Sequence, residues 1–424
     1  MRLAARTFAA DRDRWLLATA SFATALALAM FLAQRGYMVD IDVYLMGGRH
    51  VLDPGLYSLV LFGHSGLLFT YAPFAALAFA PLAWGLTLIQ AQEVWAVVNL
   101  ASLFGLLAVA IRTVRPDLER ATAWRWALTL SFPAVFLDPV FLTIGFGQVN
   151  LVLDLFVLWD LIGPRRVGSR TLPLGVATGI AAAIKLTPLI FVPYLLLTRR
   201  TRGAFVCLAT FVVCEVAAFA VSPASSWVYW TKDVFDSGRA GYLLYISDQN
   251  LSSVLQRFHH GQVPTAVLWP ALAVILVAGL ALAAWAYRSS SPMLGLLVCA
   301  TTGLVISPVT WTHHLVWVVP AIIWMAAGAD RPRHGLGIAV ATSLLFWASP
   351  IWWVPNNHHR ELHENAWQLV AGNSFFLAMC GFLIGVTLML VSRHVTSRRA
   401  DAADAAGVAD SLPEPAAALG GAAG

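Results

Sequence analysis

Four polar stretches interrupt an otherwise apolar chain, and each carries side chains that could do chemistry. Tyr37-Met38-Val39-Asp40-Ile41-Asp42-Val43-Tyr44 places two carboxylates just beyond an apolar run. A carboxylate at a membrane surface is partly desolvated, which raises its pKa toward the range of a general base. The bland alternative is that both acids simply face water. Ser307-Pro308-Val309-Thr310-Trp311-Thr312-His313-His314 sets paired imidazoles after a helix-breaking proline. Such a pair can hydrogen-bond or neutralise a phosphate, or it can be only a polar turn between helices. Two adjacent histidines alone are a poor metal ligand set, so no metal site is assigned. Asp248-Gln249-Asn250-Leu251-Ser252-Ser253-Val254-Leu255-Gln256-Arg257 reads as a polar start, with Asp248 or Asn250 as cap, running into an amphipathic helix. It suits a ligand and a plain interfacial helix equally. Lys185, in Ala181-Ala182-Ala183-Ile184-Lys185-Leu186-Thr187-Pro188, needs a partner or an anion unless it snorkels to the surface. Gln148 and Asn150 follow Gly145-Phe146-Gly147 at a break between apolar runs, and Asn356-Asn357-His358-His359-Arg360-Glu361 is a further polar string. There is no Walker-type glycine loop and no Gly-x-Ser-x-Gly elbow.

The elements that must position these groups are membrane helices. The 424 residues are 59% hydrophobic and only 12% charged, against about a quarter charged in a soluble domain. The 17 Trp suit membrane–water interfaces. Apolar runs at about 15–33, 72–90, 93–111, 124–144, 148–162, 172–198, 203–221, 264–287, 292–309, 314–328, 335–354 and 367–391 predict an all-α polytopic bundle of about 12 transmembrane helices. Residues 172–198 hold Lys185 and Pro188, so they are one kinked helix or two half-helices. The start, Arg2 to Arg14, reads as a retained first span with a cytoplasmic N-terminus (1–14) rather than a cleaved signal. The membrane domain is 15–391, with outer loops at about 34–71, 222–263 and 355–366, and interfacial helices are expected there. Residues 392–424 form a cytoplasmic tail, disordered over its Ala-, Gly- and Asp-rich end. Positive loops at Arg199–Arg202, Arg288, Arg331–Arg333 and Arg393–Arg399 fall inside in this count. Arg112–Arg125 and Arg165–Arg170 fall outside, against the positive-inside rule. The small net charge of +5 lies between apolar runs, which argues for topology signals and against nucleic acid as a partner. Cys207, Cys214, Cys299 and Cys380 lie in apolar runs and read as packing residues.

Taken together, the polar segments resemble those of the polyprenyl-phosphate-mannose-dependent α-1,2-mannosyltransferases of actinobacteria, glycosyltransferase family 87. The resemblance rests on Asp40-Ile41-Asp42-Val43-Tyr44 with Leu56-Tyr57, on Phe69-Thr70-Tyr71-Ala72-Pro73-Phe74, and on Lys185-Leu186-Thr187-Pro188. Asp248-Gln249-Asn250-Leu251 and Ser307 to His314 complete the set, and it runs from about residue 15 to 390. It implies a GT-C-type fold with the site at the outer face of the plasma membrane; the count of about twelve spans and the basic loops put both termini in the cytoplasm. The resemblance also implies a polyprenyl-phosphate-sugar donor, a mannosylated glycolipid acceptor among the membrane lipids, and no required cofactor. The family pattern Asp-x-x-Val-Tyr assigns the general base to Asp40, with Asp42 second and Tyr44 at the substrate. A departing lipid phosphate would be met by His313, His314, Arg257 and Lys185, with Gln249 and Asn250 contacting substrate. The chain departs from the family at Tyr71-Ala72-Pro73, commonly Tyr-Pro-Pro, and around Asp248–Leu251.

A multi-pass transporter or flippase for a lipid-linked sugar is the rival reading. It would want an internal repeat and several charges inside the spans. No repeat is visible, and Lys185 and Glu215 are the few clear in-span charges. A non-catalytic scaffold leaves the acids, imidazoles and long loops on one face unexplained.

Overall fold

The structure is a computed structural model describing residues 2–35, 38–61, 66–261, 263–356 and 359–411, with side chains described from 11 to 399. Tyr37 and the Asn357-His358 pair lie outside the described residues. The chain opens with α1 (Arg2–Gln34), followed by two short helices, α2 (Val39–Arg49) and α3 (Pro73–Gly85). These two lie along each other because Gly48 presents no side chain: a Cβ there would stand 2.9 Å from the Ala80 nitrogen and from the Ala83 Cβ. Tyr44 stacks on Phe79, with ring centroids 4.6 Å apart.

Thr87 and Gln90 form a capping box that starts α4 (Leu88–Val114) as a separate helix. The expected span 72–90 is therefore not one helix. α5 (Arg120–Val135) and α6 (Asp138–Phe146) meet at an 82° bend. α7 (Asn150–Leu161) leads to a small hairpin, Arg166–Val167 against Arg170–Thr171. α8 (Val176–Ile184) and α9 (Phe191–Leu197) are the two halves of the 172–198 segment. The backbone turns extended at Lys185, and Pro188 sits in a 3-10 turn (Thr187–Ile190), where it can supply no N–H to continue α8.

α10 (Thr201–Val221) is followed by the short α11 (Pro223–Thr231) and α12 (Leu251–Phe258), then by α13 (Thr265–Ser289) and α14 (Pro292–Ile306). A 3-10 segment (Thr312–Trp317) enters α15 (Val318–Ala327), and α16 (Gly335–Ala348), α17 (Ala366–Gly372) and α18 (Ser374–Ser411) complete the chain. Residues 400–411 of the expected disordered tail continue α18, and residues 412–424 lie outside the described residues.

Among the described residues, 6 helices are long and apolar enough to cross a membrane, or 7 with the bent pair taken as one span. About twelve full-length spans are not what the structure has. A span needs roughly 20 residues, whereas α7, α14 and α15 have 12, 15 and 10. α8 has 9, a rise of only about 13 Å.

The bundle has a polar end and a basic end. Gln92 near the start of α4 donates to Asp42 on α2 (2.9 Å), and α4 runs from there to Arg115. α7 starts at the same polar end and packs alongside, with Leu155 against Gly105 of α4. At the basic end Arg125 pairs with Asp11. There too, Arg200 donates to the Leu161 carbonyl (2.6 Å), Arg288 to that of Leu197 (3.3 Å), and Arg393 to that of Asp330 (2.9 Å). The arginine loops around 112–125 and 165–170, expected on opposite sides from the other basic loops, thus share their end. Two features put them there: 72–90 is divided between α3 and α4, and 172–198 is two half-helices, one of the two forms expected.

Gly147 fixes where α2 sits. Its φ is +70°, and a Cβ there would approach the Ile41 Cβ to 2.9 Å. Gly147→Ala is expected to destabilise the fold by about 1–3 kcal/mol, seen as a lower melting temperature in detergent. An unchanged melting temperature would show that the α2 contact is not tight.

Candidate active site

At the polar end a cavity of about 750 Å³ is walled by α2, the α6–α7 break, the α8–α9 turn and the Ser307–His314 segment. Asp40, Gln148, Lys185, His313 and His314 all face it, together with the rings of Tyr71, Trp311 and Trp352. These four wall segments, far apart in sequence, converge here because helices end or break at one level.

Asp40 lies in the first turn of α2. Burial raises its pKa to about 6, against a hydrogen bond from Gln148 and the positive charge of Lys185, while the charge of Asp42 pushes the same way as burial. Gln148 is itself fixed: its Oε1 accepts from Tyr44 Oη (2.8 Å), and Tyr44 Oη also lies 2.9 Å from Tyr71 Oη. Tyr44, expected at the substrate, is fully buried behind this relay and does not line the cavity. Asp42 also lies off the cavity wall, with Oδ1 taken by Gln92. α-Helical geometry explains the split, since side chains two residues apart on a helix point to different faces.

Lys185 Nζ donates to Asn150 Oδ1 (3.0 Å), lies 2.8 Å from His314 Nε2, and sits 5.9 Å from the centroid of the Tyr71 ring. An ammonium can only donate, so His314 Nε2 offers its lone pair and the ring carries its proton on Nδ1, toward the Val309 carbonyl. His313 is held through its backbone: its carbonyl accepts from Asn150 Nδ2 (2.8 Å) and Thr143 Oγ1 (3.0 Å). Among the described residues its two ring nitrogens have no partner, although the ring is buried at the cavity wall.

The Asp248–Arg257 segment plays a different part from the one expected. Arg257 is fully buried, and its guanidinium is used up inside the protein. Nε and Nη2 donate to Asn373 Oδ1 (3.0 and 2.7 Å), Nη2 to the Asp248 carbonyl (2.7 Å), and Nη1 to that of Tyr245 (3.1 Å). Gln249 spans to Gly372 O and Phe376 N (2.8 and 3.0 Å), and Asn250 caps α12 at Ser253 N (2.7 Å). None of the three lines the cavity; in this structure Arg257, Gln249 and Asn250 bond within the protein and hold α12 in place.

Asp248 ties this scaffold to the site. Its Oδ1 accepts from Thr310 N (2.7 Å) and Asn250 Nδ2 (2.9 Å), and its Oδ2 from Ser253 Oγ (3.1 Å). Gln249 N donates to Thr310 O (2.8 Å). The segment that carries His313 and His314 is thereby pinned like a short strand. Burial pushes the Asp248 pKa up to about 7 against the Thr310 N–H and the charge of Arg257.

Two cavity residues, Gln148 and Arg239, and Asn150 behind Lys185 carried little signal in the sequence. Gln148 and Asn150 showed only as amides beyond a glycine break, and Arg239 not at all. Arg239 braces the rim by donating to the carbonyls of Tyr57 (2.5 Å) and Phe69 (3.4 Å).

The chain resembles known proteins along most of its length. The family described as glycosyltransferase family 87 matches residues 69–308, a stretch that stops short of Asp40 on one side and of the histidine pair on the other. A polyprenol-phosphate-mannose-dependent alpha-(1-2)-phosphatidylinositol mannoside mannosyltransferase of Mycolicibacterium smegmatis is 35% identical over 390 residues, 85% of each chain. A protein of the same description from Mycobacterium tuberculosis is 31% identical over 383 residues, 85% of this chain and 87% of its own. A phosphatidylinositol pentamannoside mannosyltransferase of M. tuberculosis is 31% identical over 370 residues, covering 85% and 81%. No solved structure matches the chain.

A scaffold role for Arg257 has a distinct signature. Arg257→Ala leaves Asn373 and several buried carbonyls without donors, so a loss of about 3–5 kcal/mol of stability is expected, read as a large drop in folded yield and melting temperature. A well-folded variant that had only lost donor affinity would contradict it.

Proposed function

The chain belongs to glycosyltransferase family 87, and from that premise we propose that it transfers mannose from a polyprenyl-phosphate-mannose donor to a hydroxyl of a phosphatidylinositol mannoside, forming an α-1,2 linkage. The observation that carries this reading is a single cavity holding one desolvated carboxylate, Asp40, together with a buried cation, Lys185, each sensing the other's charge. Relatives named for this reaction cover most of the chain. Family membership sets the transporter reading aside.

The chemistry follows from what each group can hold. The acceptor hydroxyl lies against Asp40, which removes its proton as the oxygen attacks the anomeric carbon. The new C–O bond forms as the bond from that carbon to the phosphate oxygen breaks on the opposite face, so configuration inverts. The electron pair leaves with the lipid phosphate, whose charge rises by one. Lys185 and the N–H of the unpartnered His313 ring meet that added charge in a site of low polarity, where a fixed cation counts for more than in water. A monophosphate leaving group balanced in this way requires no metal or other cofactor. One carboxylate is enough because phosphate departs without protonation, unlike the sugar alkoxide of a hydrolase.

The basic end is cytoplasmic and the cavity opens toward the outer face, since Lys and Arg accumulate on the cytoplasmic side. The six long apolar helices α1, α4, α10, α13, α16 and α18, with the bent α5–α6 pair, are the candidate crossings. The α8–α9 pair enters from the basic end, delivers Lys185, and returns. Asp11 of α1 and Arg393 of α18 both lie at the basic end, so both termini are cytoplasmic.

Asp40→Asn is expected to cost about 10²–10⁴-fold in transfer of labelled mannose to glycolipid in membranes, with the protein still inserted. Full activity in that variant would remove Asp40 as base. The pH profile gives a second test. A base with its pKa near 6 works as the carboxylate, so the rate should be full above that pH and fall tenfold per unit below it. A rate independent of pH between about 5 and 8 would contradict the assignment.

A further inference from the structure

At the basic end, away from the active site, a second cavity of about 500 Å³ lies between the Arg166–Thr171 hairpin and the turn that joins α9 to α10. Arg165, Arg199, Arg200 and Arg202 line it, and no carboxylate does. Two of the four are anchored. Arg165 Nη1 donates to the Leu172 carbonyl (3.2 Å), and Arg200 donates to that of Leu161 (2.6 Å) while lying 5.8 Å from the centroid of the Tyr287 ring. Among the described residues, Arg199 and Arg202 have no side-chain partner. Basic groups elsewhere at this end are placed differently. Arg125 pairs with Asp11, Arg115 with Asp117, and Arg393 is directed onto the backbone of Asp330 and Arg331. Four guanidiniums gathered around one hollow repel one another, and an anion between them removes that cost.

The surroundings indicate which anion. From the cavity, α10 runs into the membrane with Phe205, Leu208, Val212, Val216 and Phe219 exposed at helical spacing. This stripe begins beside Val206 in the cavity wall and offers an acyl chain a path down the helix. A soluble phosphate would use the arginines and leave the stripe idle. A phospholipid uses both.

We propose that this cavity binds the phosphodiester headgroup of an anionic phospholipid from the leaflet on the basic side, with its acyl chains along α10. Bound there, the lipid cross-links the Arg165–Arg170 hairpin to the α9–α10 turn. That turn closes the α8–α9 pair carrying Lys185, so occupancy steadies the element that delivers the active-site cation. The proposal rests on the cavity and the membrane placement of α10 and is independent of the sugar chemistry.

The test is thermal unfolding of the full-length protein in a neutral detergent, with added phosphatidylglycerol, phosphatidylcholine or inorganic phosphate. A ligand that binds only the folded state raises the melting temperature by an amount that grows with the logarithm of its concentration over its Kd. Phosphatidylglycerol should raise it by several degrees in the unaltered protein and in an Arg333→Gln/Arg398→Gln variant, which removes the same charge elsewhere at the basic end. In an Arg199→Gln/Arg202→Gln variant the rise should fall by at least half. Phosphatidylcholine and inorganic phosphate should have little effect on any of them. Both substituted arginines are exposed and make no internal bonds; if the double variant fails to fold, Arg202→Gln alone is read in the same way. An undiminished rise in the cavity variant would overturn the proposal. So would an equal loss in the Arg333/Arg398 variant, which would mean diffuse surface charge, or an equal rise with inorganic phosphate, which would mean an anion site with no lipid.

Discussion

A positive charge carried into an apolar bundle is the constraint that organises this protein. Lysine at the middle of a spanning helix costs about 2.5–3.5 kcal/mol to insert, so Lys185 survives only where other groups receive it. Asn150 and His314 do so at 3.0 and 2.8 Å, the Tyr71 ring adds its face, and Asp40 supplies the opposing charge. Each recipient stands where a helix starts, ends or breaks. Asn150 opens α7 after the left-handed Gly147, His314 sits in a 3-10 turn, and Lys185 itself occupies the gap between α8 and α9. The short helices are therefore the means by which polar groups reach one level of the bundle.

The same constraint explains why so much buried polar structure surrounds a small reacting centre. Asp40 is oriented by Gln148, Gln148 by Tyr44, and the Tyr44 ring rests on Phe79 of α3. On the far wall the histidine segment is pinned by Asp248, while Arg257 and Asn373 lock α12 to the end of α17. In a site of low polarity an unpaired group is costly. The His313 ring nitrogens at the cavity wall are an exception, buried and without a partner among the described residues.

The sequence showed what each residue type would need, and less of what would supply it. Asp40, Lys185 and the His313-His314 pair stood out because charged or titratable groups are conspicuous among apolar neighbours, and all of them face the cavity. Arg257 stood out for the same reason, but its guanidinium bonds inside the protein and lies off the cavity wall. Its partner Asn373 lies 116 residues away, and no local pattern announces that pairing. Asp42 is held by Gln92, 50 residues away, and no local pattern announces that contact either. The span count failed for a related reason. Residues 72–90 are apolar enough to cross a membrane, but Gly48 lets α3 lie along α2 instead, and Thr87 starts a new helix. Hydropathy reports that a segment will be buried; close packing decides in what. The all-helical membrane class was legible because it depends on composition alone.

The central claim is a division of labour, with Lys185 holding the lipid phosphate and Asp40 serving only the acceptor hydroxyl. Equilibrium binding of polyprenyl phosphate, the product left by the donor, tests it most directly when compared across the unaltered protein, Lys185→Gln and Asp40→Asn. Binding should weaken by about tenfold or more in Lys185→Gln, the loss of one charge-assisted contact, and should hold or tighten in Asp40→Asn, where a repelling carboxylate has gone. Undiminished binding in Lys185→Gln would contradict the account at its root.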